Sequence, residues 1–302
     1  MNVEMRPLVS VGVTTYNRPE GLRKALDCLL NQSYENLEII VSEDCSPNIE
    51  TNKVIEEFVS RDSRIKAVHH SENIGAEANH NLLVTLAAGK YFMWADDDDL
   101  CEPEMLETMV EAMEENPAAV LCGSDVRVID ADDTLLRVES LKGIHGKRWQ
   151  KARRKFFACP ISNVFYAIMG LYRTDVLQKY DIRLKPGWHG YGMGSEIPFL
   201  AKLAVKGEII SVPKELKYYR SYSDSRYVKE ASTIPKVDAF FVLQYLRLNL
   251  IKIIIASDLR VSEKSVLLVS VVMSAINNFL RSWILKCLPL KVKEAIKRRL
   301  KK

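Results

Sequence analysis

L8-V-S-V-G-V-T-T-Y-N-R-P-E-G-L-R-K-A-L-D-C-L-L-N31, followed after Q32-S-Y-E-N36 by L37-E-I-I-V-S42, decides the fold. Leu8 to Thr14 reads as a strand, Pro19 to Asn31 has the apolar spacing of a helix, and Leu37 to Ser42 reads as a strand again. The same alternation continues outward. A helix through Val54, Ile55 and Phe58 precedes a short strand, I65-K-A-V-H69, and a further helix spans roughly Glu77 to Ala88, with Gly89 placed to end it. Y91-F-M-W-A95 is the next strand. After Pro103 come a helix rich in Glu and Met and a strand, A118-A-V-L-C122. Such a βαβ succession implies a mostly parallel sheet.

Beyond residue 122 the pattern is less regular. The basic run K147-R-W-Q-K-A-R-R-K155 and the loop P186-G-W-H-G-Y-G-M-G194 precede a helix over E196-I-P-F-L-A-K-L-A-V205. Three apolar helical stretches studded with Lys and Arg follow Pro235. They carry 14 Lys and Arg against 4 Asp and Glu, +10, so the rest of this +4 chain carries −6. The longest apolar run there, V266 to I276, is well short of the roughly 20 residues of a membrane-spanning helix. The six cysteines are scattered, with no C-x-x-C pair and no leader-like segment ahead of them, which leads to the expectation of a reducing, cytoplasmic environment.

The chemistry concentrates in four segments at expected strand ends or helix starts: T14-T-Y-N-R-P19, S42-E-D-C-S-P-N48, N73-I-G-A-E-A-N-H-N81 and A95-D-D-D-D-L100. In open α/β sheets this edge is where ligands bind. Taken singly, each segment also fits an ordinary helix cap or turn. The four aspartates weigh against that, since crowded carboxylates repel unless a cation or a donor compensates them. Hard oxygen ligands suit Mg²⁺ or Mn²⁺ held jointly with substrate phosphates, which fits a nucleotide diphosphate. Neither a P-loop nor a dinucleotide fingerprint is present.

V9-S-V-G-V-T-T-Y-N-R-P19, I39-I-V-S-E-D-C-S46, N73-I-G75 and Y91-F-M-W-A-D-D-D-D-L-C-E-P103 resemble, in order and spacing, the successive signatures of family 2 glycosyltransferases. The resemblance covers about residues 7 to 225. It implies a GT-A fold, an α/β architecture with a Rossmann-like, mostly parallel sheet flanked by helices, here with a C-terminal α-helical extension. It divides the chain into a GT-A domain over 1–234, with a nucleotide-sugar-binding half (1–122) and an acceptor-binding half (123–234), and a basic amphipathic helical region over 235–302.

The same resemblance assigns roles residue by residue. Thr15, Tyr16 and Asn17 line the nucleotide pocket, Asp44 meets the pyrimidine base, and Gly75 lies in the donor-side N-x-G segment. N79-H-N81 stands where the family has A-R-N, so Asn81 matches while His80 replaces an arginine. A histidine of reference pKa about 6.5 supplies that charge only part of the time near neutrality. D98-D-L-C-E-P103 sets the register of the aspartates: Asp98 is the metal ligand, Asp96 faces the ribose or shares the metal, Asp97 is the free middle residue on the donor side, and Asp99 begins the next helix. Glu196 matches the general base, with Ile197 where the commoner Asp stands, and Tyr222 replaces a late histidine. Trp188, His189 and Tyr191, just before Glu196, are candidates for stacking on the acceptor.

The resulting expectation is an inverting transferase, using Mn²⁺ or Mg²⁺, that moves a sugar from a nucleotide-diphosphate donor, UDP-linked, to a saccharide or lipid-linked acceptor in bacterial surface polysaccharide synthesis. The basic C-terminal helices suit packing on the domain or peripheral contact with the inner face of the cell membrane. They have no recognisable nucleic-acid-binding fold. Two rival classes are a nucleotide-sugar-binding or scaffold protein with impaired catalysis, and a metal-dependent nucleotidyltransferase or phosphohydrolase.

Overall fold

The computed structural model describes residues 6–141, 153, 156–157, 163–185, 196–221 and 236–287. The N-terminal part runs β1 (Val9–Thr15), α1 (Pro19–Leu30), β2 (Leu37–Glu43), α2 (Ile49–Arg61), β3 (Ile65–His69), α3 (Ala76–Leu86), β4 (Tyr91–Asp96), β5 (Leu100–Cys101), α4 (Met105–Glu115) and β6 (Ala119–Ile129). Then come β7 (Leu135–Glu139), a 3-10 turn (Asn163–Met169), β8 (Leu171–Arg173), α5 (Thr174–Lys179), α6 (Glu196–Ala204), β9 (Glu208–Arg220), α7 (Lys236–Ala256) and α8 (Val261–Cys287).

Among the described residues one sheet has the order β3-β2-β1-β4-β8-β6-β9-β5, with β7 paired to β6. Strands β3, β2, β1 and β4 are mutually parallel, as is β6 with β9, while β8, β5 and β7 pair antiparallel. The chain winds outward from β1 to β3, then returns to place β4 on the other side of β1. That reversal opens a crevice at the carboxyl ends of β1 and β4, where Thr14 stands beside Asp96 in register.

Two cores, one on each face of the sheet, follow from the period-two alternation of strand side chains. Val9, Val11 and Val13 of β1, with Tyr91, Met93 and Ala95 of β4, pack with Leu22, Leu26 and Leu29 of α1 and with α2 and α4. Phe92 and Trp94 point the other way, into a core with Leu83 of α3, Tyr172, and Phe199, Leu200 and Leu203 of α6. Fully burying each such side chain contributes about 1.5–3 kcal/mol. Leu250 and Ile254 of α7 and Leu267 and Val271 of α8 belong to this second core, so one face of α7 and one of α8 pack on the domain.

Several expectations need adjusting. Asp99 does not begin a helix: the chain first forms β5, whose Leu100 and Cys101 pair with Tyr218 and Lys217 of β9, and α4 starts only at Met105. Gly89 does not close α3 through a left-handed cap, because Ala87 ends that helix. It is a point of close approach, where a Cβ would lie 2.6 Å from the Leu8 carbonyl oxygen and 2.7 Å from the Ser10 nitrogen. Strand β6 continues to Ile129, beyond the expected strand end at Cys122, because β9 pairs along it. The third C-terminal stretch falls outside the described residues.

Candidate active site

The crevice is built from the ends of β1, β2 and β4 and the start of α3. Pro19 in the first turn sets the start of α1 and leaves T15-Y-N-R18 as a tight connection, with Asn17 at φ 63° and its N–H donating to Ser46 Oγ at 2.8 Å. This links the β1 and β2 turns. Tyr16 is 47% exposed at the rim.

The four aspartates meet different groups, with Arg18 shared between Asp97 and Asp98. Asp96 Oδ1 lies 3.3 Å from His80 Nε2, and His80 Nδ1 lies 2.8 Å from the Ala76 carbonyl oxygen, so the ring faces an acceptor at both nitrogens. Burial alone lowers the His80 pKa, but the bond to Asp96, that carboxylate's charge and the Ala76 carbonyl together raise it above 6.5. Desolvation raises Asp96, and the bond to His80 with the charges of His80, Lys217 and Arg18 outweighs it, holding the carboxylate below its usual range. His80 is therefore a better substitute for a permanent cation than its reference value suggests.

Asp97 is not a free middle residue. It is buried, its Oδ2 accepts from Thr15 Oγ1 at 2.8 Å and from the Tyr16 N–H at 3.4 Å, and Arg18 Nη1 lies 3.4 Å from Oδ1. Burial drives its pKa to about 6 against these partners. It ties the end of β4 to the end of β1, because a carboxylate directed into the fold must find donors there. Asp98 pairs with Arg18 through the same guanidinium. Asp99 is buried beside Lys217, whose Nζ stands 3.4 Å from Oδ2, a close charge contact without hydrogen-bond geometry. Burial takes its pKa to about 7 in spite of Lys217.

On the neighbouring turn, Asp44 is buried, and its carboxylate accepts from the N–H groups of Ile74, at 2.7 Å, and Gly75, at 3.1 Å. It thereby shapes the N-x-G turn, in which Gly75 takes φ 86° with open space beside it. Asn81 is turned from the crevice: its Nδ2 donates to the Leu184 carbonyl and its Oδ1 accepts from the Leu184 N–H, both at 2.8 Å. Both ends of the amide are thus occupied by backbone. Glu196 is half-buried in the first turn of α6, and Phe199 of that helix packs edge-on against Trp94 at 5.3 Å. Trp188, His189, Tyr191 and Tyr222 lie outside the described residues.

Three cations that sequence reading missed complete the set. Arg18 bridges Asp97 and Asp98, Lys217 lies beneath Asp99, and Arg220 donates to the Asp98 carbonyl at 3.2 Å and to the Asp130 carbonyl at 2.8 Å while pairing with Asp133. The repulsion within the aspartate run signalled that compensating charge had to exist. Only pairing of β5 and β6 with β9 places Lys217 and Arg220 there.

The arrangement offers a divalent cation few ligands of its own. Among the described residues no group of three or more His, Cys, Asp or Glu could hold a metal. Asp96, with 46% of its side chain exposed, and the partly exposed Asp98 present hard oxygen donors. That fits an ion held by one or two carboxylates and completed by phosphate oxygens.

The family model described as Glycosyl transferase family 2 matches residues 10–181. An uncharacterized glycosyltransferase of Haemophilus influenzae is 34% identical over 148 residues, 49% of this chain and 43% of that protein. The putative colanic acid biosynthesis glycosyl transferase WcaA of Escherichia coli is 35% identical over 106 residues, 34% of this chain and 37% of that protein. The matches thus span less than half the length of these relatives. Residues 1–349 of Staphylococcus aureus TarS in complex with UDP-GlcNAc align with a TM-score of 0.67 at 17% identity, covering 94% of this chain and 76% of that one. A mannosyltransferase of Pyrobaculum calidifontis in complex with GDP-Man and Mn²⁺ aligns with a TM-score of 0.54 at 14% identity, covering 91% and 88%. These two likenesses carry the mixed α/β GT-A fold.

Proposed function

This chain belongs to glycosyl transferase family 2, and we propose that it transfers a sugar, with inversion, from a UDP-linked donor to a saccharide or lipid-linked acceptor in surface polysaccharide synthesis. The observation that carries the reading is the pair Asp96 and Asp98 at the β1/β4 reversal, with His80 and Arg18 beside them. Two carboxylates and two cationic side chains at one strand end suit a ligand that is itself an anion bound with a metal. The UDP preference draws on the UDP-GlcNAc complex of TarS, and the polysaccharide setting on the colanic acid assignment of WcaA.

Asp98, with Asp96, would hold Mn²⁺ or Mg²⁺. Bound there, the ion supplies charge neutralisation for the departing diphosphate. His80 and Arg18 direct positive charge at the same diphosphate, Gly75 leaves room for the donor beside the turn held by Asp44, and Thr15 and Asp97 keep the Tyr16 backbone in place at the rim. Glu196, at the start of the helix packed on Trp94, takes the proton from the attacking acceptor hydroxyl. Screening labelled nucleotide sugars against saccharide and membrane-lipid acceptors with Mn²⁺ tests the reading. Release of pyrophosphate or nucleoside monophosphate in place of sugar transfer would overturn it.

Glu196→Gln is expected to lower transfer by about 10²- to 10⁴-fold, the usual span of general acid–base catalysis, with nucleotide affinity retained. Calorimetry showing lost nucleotide binding with normal turnover would contradict the base role.

The outer face of α8 supports a membrane partner. Val269, Val272, Met273 and Ile276 are 46–59% exposed and recur at helical spacing as one stripe, within a region of net charge +10. No helix among the described residues is long and apolar enough to cross a membrane. We therefore expect Val269→Asp with Met273→Asp to reduce cosedimentation with anionic phospholipid vesicles several-fold while leaving transfer to a water-soluble acceptor unchanged. Undiminished cosedimentation of the double variant would refute this contact.

A further inference from the structure

Cys28 of α1 and Cys101 of β5 are 73 residues apart in the chain, yet their Sγ atoms stand 2.8 Å apart. The contact is organised on both sides. Cys28 Sγ lies 3.0 Å from the Cys101 N–H, which donates to it, and 3.0 Å from the Cys101 carbonyl oxygen. Gln32 Nε2 donates to Cys101 Sγ at 3.3 Å and to the Glu102 carbonyl at 2.8 Å, and Gln32 Oε1 accepts from the Leu106 N–H at 3.0 Å. Both thiols are partly exposed. Nothing in sugar transfer uses them.

We propose that Cys28 and Cys101 are a redox modification site, closing reversibly to a disulfide that ties α1 to the strand following the aspartate run. The sulfurs need to approach by roughly 0.8 Å to reach a bonded distance of about 2.05 Å. Cys28 is the attacking thiol: the hydrogen bond from Cys101 holds its pKa below the ordinary value, whereas Cys101 is raised well above its own by the same contact and by burial. With a low-molecular-weight disulfide as oxidant, the Cys28 thiolate attacks one sulfur, forming a mixed disulfide and expelling a small thiolate. Cys101 then loses its proton and attacks the Cys28 sulfur, expelling the second small thiolate. Two protein thiols are oxidised by two electrons, one small disulfide is reduced, and both protons end on the released thiols.

The closed loop contains β2, α2, β3, α3, β4 and all four aspartates. Cys101 also pairs in register with Lys217, the cation beneath Asp99. The bond therefore staples the floor of the crevice and shrinks the conformational freedom of the unfolded chain.

The test incubates the reduced full chain with oxidised glutathione, alkylates the remaining thiols and maps peptides by mass. A peptide pair joined through Cys28 and Cys101, lost on adding dithiothreitol, is expected, together with a rise of several degrees in the unfolding midpoint that the Cys28→Ser variant does not show. Cys45, whose Sγ lies 3.6 Å from the Ser71 carbonyl, serves as the internal measure of oxidant exposure. Recovery of Cys28 and Cys101 as separately alkylated peptides while Cys45 is glutathionylated would overturn the proposal. So would a glutathione adduct on Cys28 that never resolves onto Cys101. The wild-type map decides the matter even if Cys28→Ser does not fold.

Discussion

Asp98→Asn is expected to lower sugar transfer by about three orders of magnitude while leaving the unfolding midpoint close to that of the unmodified chain. A metal at a departing diphosphate supplies several kcal/mol, and about 4 kcal/mol corresponds to a thousandfold in rate. Asparagine keeps the size of the side chain and removes its charge, so a cation loses its anchoring ligand. Folding loses little because the Asp98 carboxylate meets Arg18, an arginine half exposed to solvent, and such pairs contribute under about 1 kcal/mol. Arg18 also keeps its contact with Asp97. Initial rates across a Mn²⁺ titration, with differential scanning fluorimetry, separate the two effects. Turnover near that of the wild type at saturating Mn²⁺ would sink the assignment of Asp98 to the metal.

Lys217→Met is expected to act the other way, on stability. Lys217 and Asp99 are both almost fully buried, and removing one partner of such a pair leaves an uncompensated charge that costs about 3–5 kcal/mol. The cost falls at the lower end because Asp99 already sits at about 7 and takes a proton when its cation is removed. At about 2–4 °C per kcal/mol, the midpoint drops by roughly 6–12 °C. The pH dependence has a definite sign. The folded Asp99 carboxyl is raised above its unfolded value of 3.8, so between the two values the folded state binds more protons and stability falls as pH rises. Without Lys217 the folded value rises further and the falling limb extends above pH 7. Adding Asp99→Asn to Lys217→Met should recover most of the loss and flatten that limb, and a double variant no more stable than the single one would refute the pairing.

The βαβ succession of residues 8 to 96 was legible because apolar periodicity is a local property: each strand and helix expected there with stated bounds lies within one or two residues of them, and α2 contains the expected Val54, Ile55 and Phe58. The location of the crevice was legible for a related reason: parallel strands joined by helices bring their carboxyl ends to one edge, whatever the details of packing. The role of each aspartate was not. Four identical neighbours differ only in where the backbone turns their carboxylates. Asp97 was expected in the variable middle position on the donor side and is bound by Thr15, while Asp99 was expected at a helix start and lies against Lys217. Asn81 matched a motif by identity, yet Leu184, 103 residues away, occupies its amide.

By itself, the order of the residues determined the class of fold, the sheet edge at which the acidic and turn motifs gather and the need for positive charge around D96-D-D-D99, because all three follow from short-range pattern and from repulsion between adjacent charges. Only the tertiary structure decided which cations answer that need and which thiols meet. Arg18, His80 and Lys217 come from a turn, a helix and a distant strand, and Cys28 reaches Cys101 only when α1 docks beside β5. Long-range pairing of this kind is set by the register of β5 on β9 and the seating of α1 on the sheet, which no local stretch of the chain encodes.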